Sequence, residues 1–211
     1  MTTDLCLSHD CQTGWRKQFT KPSGWLGRLA GRLMALKNRE RSEWTLALLD
    51  IRPGDAVLEA GFGSGADITR ALQAGAGMVA GIDHSDVMAR QALARNAGAV
   101  QRGQVDLRFG AMEQLPFAGQ SFDRVFAINS FQFSSDSISV LRQFRRVLKT
   151  GGRLAITIQP RSKGATEQDA AAAGEALLAA VQAVGFADVR LERKELKPVP
   201  AVCVTAVTSA E

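Results

Sequence analysis

The residues Val57-Leu58-Glu59-Ala60-Gly61-Phe62-Gly63-Ser64-Gly65 end a short apolar run with an acid and then a loop of alternating glycines. Glycines at 61, 63 and 65 permit backbone angles that side-chain-bearing residues avoid, and they let a ligand lie directly against the main chain. The loop therefore reads as a binding floor. Gly61-x-Gly63-x-x-Ala66 also satisfies the loose dinucleotide pattern, so the glycines alone do not choose a ligand. Glu59 discriminates further: a carboxylate there would repel a pyrophosphate, but it would stabilise a cation or accept hydrogen bonds from an ammonium or from ribose hydroxyls. A sulfonium cofactor fits that acid better than a diphosphate. A second apolar run, Met78-Val79-Ala80-Gly81-Ile82-Asp83, also ends in an acid. Asp83 is placed to accept both hydroxyls of an adenosine ribose, a role common to both cofactor readings.

The elements that must hold these groups follow from hydrophobic patterning. A strand into the glycine loop, a helix over 66–74 and a second strand over 78–83 make a parallel βαβ unit. The pattern continues with a helix over 85–97 capped by Ser85, a strand over 105–109, a strand over 122–128 and a helix over 136–148 that Gly151-Gly152 ends. Arginines 142, 145 and 146 lie on what reads as a solvated face of that helix. A fifth strand over 153–159, a loop over 160–164, an alanine-rich helix over 167–184 and two last strands over 189–194 and 201–207 complete the chain. Ahead of the sheet, 15–50 carries basic residues, Arg41 among them, set between Trp25, Leu26, Leu29, Leu33 and Trp44. Amphipathic helices are expected there, the second over 41–49. They form either a cap packed on the domain or a basic surface for an acidic membrane, and the packed cap is favoured.

Four blocks in order resemble the class I S-adenosylmethionine-dependent methyltransferases. They are the glycine loop, Gly81-Ile82-Asp83-His84-Ser85, Gly110 to Phe117 followed by Ser121-Phe122-Asp123-Arg124-Val125, and Arg145 to Leu154. The resemblance implies an α/β, Rossmann-like, seven-stranded and mostly parallel sheet with the last strand antiparallel, helices on both faces and an N-terminal helical cap. Residues 1–50 would be tail and cap, and 51–211 the S-adenosylmethionine-binding methyltransferase domain. It further implies a cofactor cradle of Glu59, Gly61, Gly63, Gly65 and Asp83. His84 and Met112 would flank the adenine, and Asn129 would border the methionine portion. Ala111 departs from the family, which often has an acid there to accept from the adenine amino group. Gln132 would face the acceptor, and His9 is the candidate base. Gln159, Arg161 and Lys163 would lie near the acceptor side, although a solvated loop is the simpler reading of them.

Methyl transfer from a sulfonium is a direct displacement, so positioning and exclusion of water supply most of what catalysis needs. The chain has two histidines and no tyrosine, so neutral-pH bases are few. It has 211 residues, 45% of them hydrophobic, enough for one α/β domain plus an extension. Apolar runs fall short of the roughly 20 residues that span a bilayer and the start lacks a signal peptide, so a cytoplasmic protein is expected. Cys6-x-x-His9-x-Cys11 gathers three soft ligands, but a fourth is lacking and free thiols are the expectation, with no metal. The net charge of +5 allows an anionic partner without requiring one.

A small-molecule methyl acceptor is expected, with no DNA partner, a membrane surface not favoured, and a monomer or homodimer. Two alternatives stay open: a nicotinamide-dependent oxidoreductase, and a non-catalytic S-adenosylmethionine-binding module that uses its basic helices on RNA or lipid.

Overall fold

The computed structural model describes residues 38–209. From Arg39 onward they belong to one compact unit, built on a seven-stranded sheet in the order β3-β2-β1-β4-β5-β7-β6. The strands are β1 (Ala56–Ala60), β2 (Met78–Asp83), β3 (Val105–Phe109), β4 (Phe122–Ile128), β5 (Leu148–Ile158), β6 (Ala187–Lys194) and β7 (Ala201–Val207). All pairings among β1 to β5 are parallel, while β7 runs antiparallel to both β5 and β6. From β1 the chain winds outward through β2 to β3, then returns to β4 on the other side. The carboxyl ends of β1 and β4 therefore flank the point where the winding reverses, which is where ligands bind in open α/β sheets.

Side-chain alternation builds a core on each face. Leu58, Ile82, Val125 and Ala127 face α5 (Ser137–Val147) and α6 (Glu167–Ala183), with Leu141, Phe144, Leu177 and Val181. Val57, Val79, Phe126 and Ile128 face the opposite layer, supplied by Ile68 and Ala71 of α2 (Ala66–Gln73), Ala92 of α3 (Asp86–Arg95) and Ala99 of α4 (Ala97–Gln101). Helix α1, residues 38–49, joins that second layer through Leu46 and Leu49. Its Thr45 hydroxyl lies 2.7 Å from the Thr157 hydroxyl of β5. The second helix expected ahead of the sheet therefore packs against the domain, and the part of the expected cap before residue 38 lies outside the described residues.

Two local expectations are corrected. Helix α5 ends at Val147 and β5 starts at Leu148, so Gly151 and Gly152 do not end a helix. They form an irregular turn inside the strand, where the Gly151 N–H donates to the Thr208 carbonyl at 2.8 Å and the Thr208 N–H donates to the Gly152 carbonyl at 3.0 Å. Arg146, read as part of a solvated face, fastens a loop: its guanidinium donates to the carbonyls of Leu115 at 2.9 Å and Phe117 at 2.8 Å. Short α4 was not anticipated. Cys203 is a free, buried thiol pushed up to about 12 by burial, which leaves it inert at neutral pH. Among the described residues no helix is long and apolar enough to cross a membrane.

Candidate active site

The three loop glycines all take positive φ, of 80°, 50° and 74° at Gly61, Gly63 and Gly65, but for different reasons. A Cβ on Gly61 would stand 2.2 Å from the Ser130 Cβ, so this glycine lets the β4 exit close over the end of β1. There the Ser130 hydroxyl donates to the Ala60 carbonyl at 2.6 Å. A Cβ on Gly65 would stand 2.7 Å from the Ala92 Cβ, so Gly65 lets α3 approach. Asn96 seals that contact by donating to the Gly65 carbonyl at 3.0 Å. Gly63 alone meets open space, which makes it the loop position whose bare backbone is exposed to a ligand.

Asp83 ties this loop to the next helix. Its Oδ2 accepts the Gly63 N–H and its Oδ1 accepts the Ser85 N–H, each at 2.8 Å, and Ser85 caps α3. Each carboxylate oxygen keeps a further lone pair for a hydroxyl donor.

Glu59, at the end of β1, is 2% exposed, and its Oε2 is buried without a hydrogen-bond partner. Burial first, then the nearby charges of Asp67 and Asp83, push this carboxyl well above the ordinary glutamate range, with Arg70 opposing. Arg70 does not neutralise it directly, because its guanidinium donates to Asp67 Oδ1 at 2.5 Å. A buried carboxylate of this kind either carries a proton or faces a cation.

Beside the loop lies a cavity of about 230 Å³, lined by Gly61, Ile82, Asp83, His84, Gly110, Ala111, Met112, Glu113, Phe133, Ser134 and Ser135. The structure thus gathers His84, Ala111 and Met112 next to Asp83. It also brings in Glu113, whose Oε1 accepts the Ser134 hydroxyl at 2.5 Å. This acid stands two residues after the position where the sequence lacks one. Of the two aromatics after β4, Phe131 is a core residue, 6.4 Å from Phe144 between ring centroids. Phe133 is 68% exposed at the cavity rim.

At the ends of β4 and β5, Asn129 takes φ 52° and bonds the Gln159 backbone twice. It donates to the carbonyl at 3.1 Å and accepts the N–H at 2.7 Å. Its amide is therefore occupied by the framework. Gln159 is 2% exposed and accepts from Arg41 Nη1 at 2.9 Å while donating to the Val199 carbonyl at 2.8 Å, so it is an internal clamp rather than part of an acceptor-side loop. Arg161, Lys163 and Gln132 are exposed. His9 and the Cys6 and Cys11 positions lie outside the described residues, and among the described ones no group of three His, Cys, Asp or Glu could hold a metal.

Sequence reasoning missed Ser130, Asn96 and Glu113. Glu113 carried a usable signal, being an acid within the block already singled out. Ser130 and Asn96 act through contacts with the glycine loop that no local pattern announces. A larger cavity of about 620 Å³, lined by Arg142, Arg145 and Arg146 among others, lies at the amino ends of β4 and β5, away from this edge.

A reversing parallel sheet with a glycine loop and paired acids at its carboxyl edge is the arrangement of nucleotide-binding α/β domains. A family model described as a methyltransferase domain matches residues 58–156. YdaC of Bacillus subtilis (strain 168), an uncharacterized methyltransferase, is 34% identical over 179 residues, covering 84% of this chain and 97% of that protein. The 27-O-demethylrifamycin SV methyltransferase of Amycolatopsis mediterranei (strain S699) is 36% identical over 109 residues, 52% of this chain and 40% of that one. Among solved structures, a SAM-dependent methyltransferase from Aquifex aeolicus superposes with a TM-score of 0.61 at 20% identity, covering 78% of this chain and 88% of that chain. The likeness at that identity concerns the fold. The chain belongs to the class I S-adenosylmethionine-dependent methyltransferases. Membership in this family favours a methyltransferase over the nicotinamide oxidoreductase.

Proposed function

We propose that this enzyme transfers the methyl group of S-adenosylmethionine to a small-molecule acceptor by direct displacement, with the cofactor in the cradle formed by Glu59, the 61–65 loop and Asp83. The observation that carries the cradle is the buried, unpartnered Oε2 of Glu59. A diphosphate there would add negative charge to a site already crowded by Asp67 and Asp83, whereas an ammonium or sulfonium would relieve the crowding.

The residues fit the group. Asp83 would accept the ribose hydroxyls, His84 and Met112 would lie against the adenine, and Glu113 would accept from its amino group in place of an acid at Ala111. Gly61 and Gly63 would bring the backbone close to the sulfur end, with Gly65 acting through the packing of α3. Asn129 would border the methionine portion through its backbone, because its side chain is engaged with Gln159.

S-Adenosylmethionine supplies an electrophilic methyl on a positively charged sulfur. What the protein must add is alignment of the nucleophile and exclusion of water, so a general base is needed only where the acceptor loses a proton. Gln132 and His9 are the candidates for meeting the acceptor. A small-molecule acceptor is supported by the relative named 27-O-demethylrifamycin SV methyltransferase. Methyl transfer from labelled S-adenosylmethionine into a fractionated metabolite extract tests it. Label in the low-molecular-weight fraction supports the reading, and label confined to RNA or protein contradicts it.

A further inference from the structure

The cavity of about 620 Å³ at the amino ends of β4 and β5 has no part in methyl transfer. Strand β4, seven residues long, separates it from the glycine-loop edge by about 20 Å. Its volume falls in the range of about 300–1,000 Å³ usual for small-molecule sites. Arg142, Arg145 and Arg146 line it together with the neutral polar residues Gln120, Thr150 and Ser209, and among the described residues none of those lining it is acidic.

The three arginines are placed differently. Arg146 is pinned by neutral acceptors only, the Leu115 and Phe117 carbonyls and, at 2.8 Å, Gln143 Oε1, so its position is fixed while its charge stays uncompensated. Arg145 is half-buried and sits where α6 gives way to Gly185, since a Cβ on that glycine would stand 4.0 Å from the Arg145 Nε. Arg142 is exposed and, among the described residues, pairs with no carboxylate. Helices α5 and α6 both end at this edge, and each carboxyl end carries about half a negative charge. Together that is about one negative charge against three positive ones, so the cavity keeps a positive excess.

An anion of more than one charge answers that excess. A phosphate monoester carries about two negative charges at neutral pH, and a guanidinium fork matches its oxygens in pairs. A single carboxylate would leave most of the excess in place. The arginines are gathered around a concavity rather than spread along a stripe, which suits a compact ligand and not a polymer backbone.

We propose that this cavity binds a small phosphorylated ligand, apart from the methyl-transfer site, with Arg142 meeting the phosphate and Arg145 and Arg146 supplying fixed positive charge. The proposal does not depend on which cofactor the other edge holds.

Calorimetry with inorganic pyrophosphate and with uridine diphosphate, in the presence and absence of S-adenosylhomocysteine, tests it. Saturable binding of one or both probes, undisturbed by S-adenosylhomocysteine, is expected. Arg142→Gln, a surface change that should leave the fold intact, should weaken that binding about tenfold or more and leave S-adenosylhomocysteine affinity within about twofold. Arg102→Gln, which removes the same charge from an exposed position outside the cavity, should change neither. Uridine diphosphate bound more tightly than pyrophosphate would identify the ligand as a nucleotide, and equal affinities would identify the phosphates alone as what is read. Affinities weaker than about 1 mM for both probes overturn the proposal. So does equal weakening by Arg142→Gln and Arg102→Gln, which would show only the effect of net charge, or displacement by S-adenosylhomocysteine, which would put the probe at the other edge. Arg142-dependent binding of a short single-stranded RNA by a protein that binds neither probe overturns it in favour of a polymer.

Discussion

Asp83 and Gly63 are joined by a 2.8 Å hydrogen bond from the loop N–H to Oδ2, while Oδ1 holds the Ser85 N–H at the same distance. One carboxylate at the end of β2 therefore fixes both the glycine loop and the start of α3. Asp83→Asn keeps the shape but turns one acceptor into a donor facing a backbone N–H. Unfolding in urea should show a loss of about 1–3 kcal/mol, and calorimetry should show S-adenosylhomocysteine binding weakened about tenfold or more. Unchanged values for both would remove Asp83 from the cradle.

Substitution of the glycines should separate their roles. Gly61→Ala meets Ser130 at 2.2 Å and retains a positive φ, so it should destabilise the fold by about 2–4 kcal/mol. Gly63→Ala meets nothing and should cost only about 1–2 kcal/mol of backbone strain, with its main effect on ligand affinity. Denaturation midpoints of the two variants compare them; equal losses would contradict the packing account of Gly61.

Glu59 makes stability depend on pH in an unusual direction. Because its folded-state pKa is raised above the ordinary value of 4.5, the folded chain holds more protons than the unfolded chain between those two values. Stability contributed by this group falls as pH climbs through that window and is flat below it. Urea unfolding of the ligand-free protein from about pH 4 upward should show this fall, and Glu59→Gln should abolish that part of it. Identical slopes in the two proteins would mean that Glu59 is not held protonated by burial.

The Asn129–Gln159 bridge should be structural. Asn129→Ala forfeits two hydrogen bonds and leaves a non-glycine residue at φ 52°, which should cost about 2–4 kcal/mol. Asn129→Gly relieves the strain and should recover roughly 1 kcal/mol of it. Thermal melts of the two variants decide the matter, and an alanine variant as stable as wild type would show the bridge to be dispensable.

Regular parts of the fold were legible because their signals are local. Alternation located β3, and apolar runs located β4 and β7, at their observed bounds, while paired acids after apolar runs located Glu59 and Asp83. Gly151-Gly152 misled because a glycine pair after a helical run resembles a C-terminal cap, whereas here it meets Thr208, far along the chain. Arg41 looked like one cation of a basic amphipathic segment. In the fold it is buried and bonded to Gln159, 118 residues away, and no sequence window contains both.

The central claim is that the Glu59 carboxylate and the glycine loop hold the adenosyl and amino-acid parts of an S-adenosylmethionine-type cofactor rather than a nicotinamide dinucleotide. Titration calorimetry of S-adenosylhomocysteine into the wild type and Glu59→Ala, with NADH as competitor, tests it most directly. Saturable wild-type binding that NADH does not displace, weakened about tenfold or more in Glu59→Ala, is the expected result. Unchanged affinity in the variant, or a site that NADH fills and S-adenosylhomocysteine cannot reclaim, would contradict it.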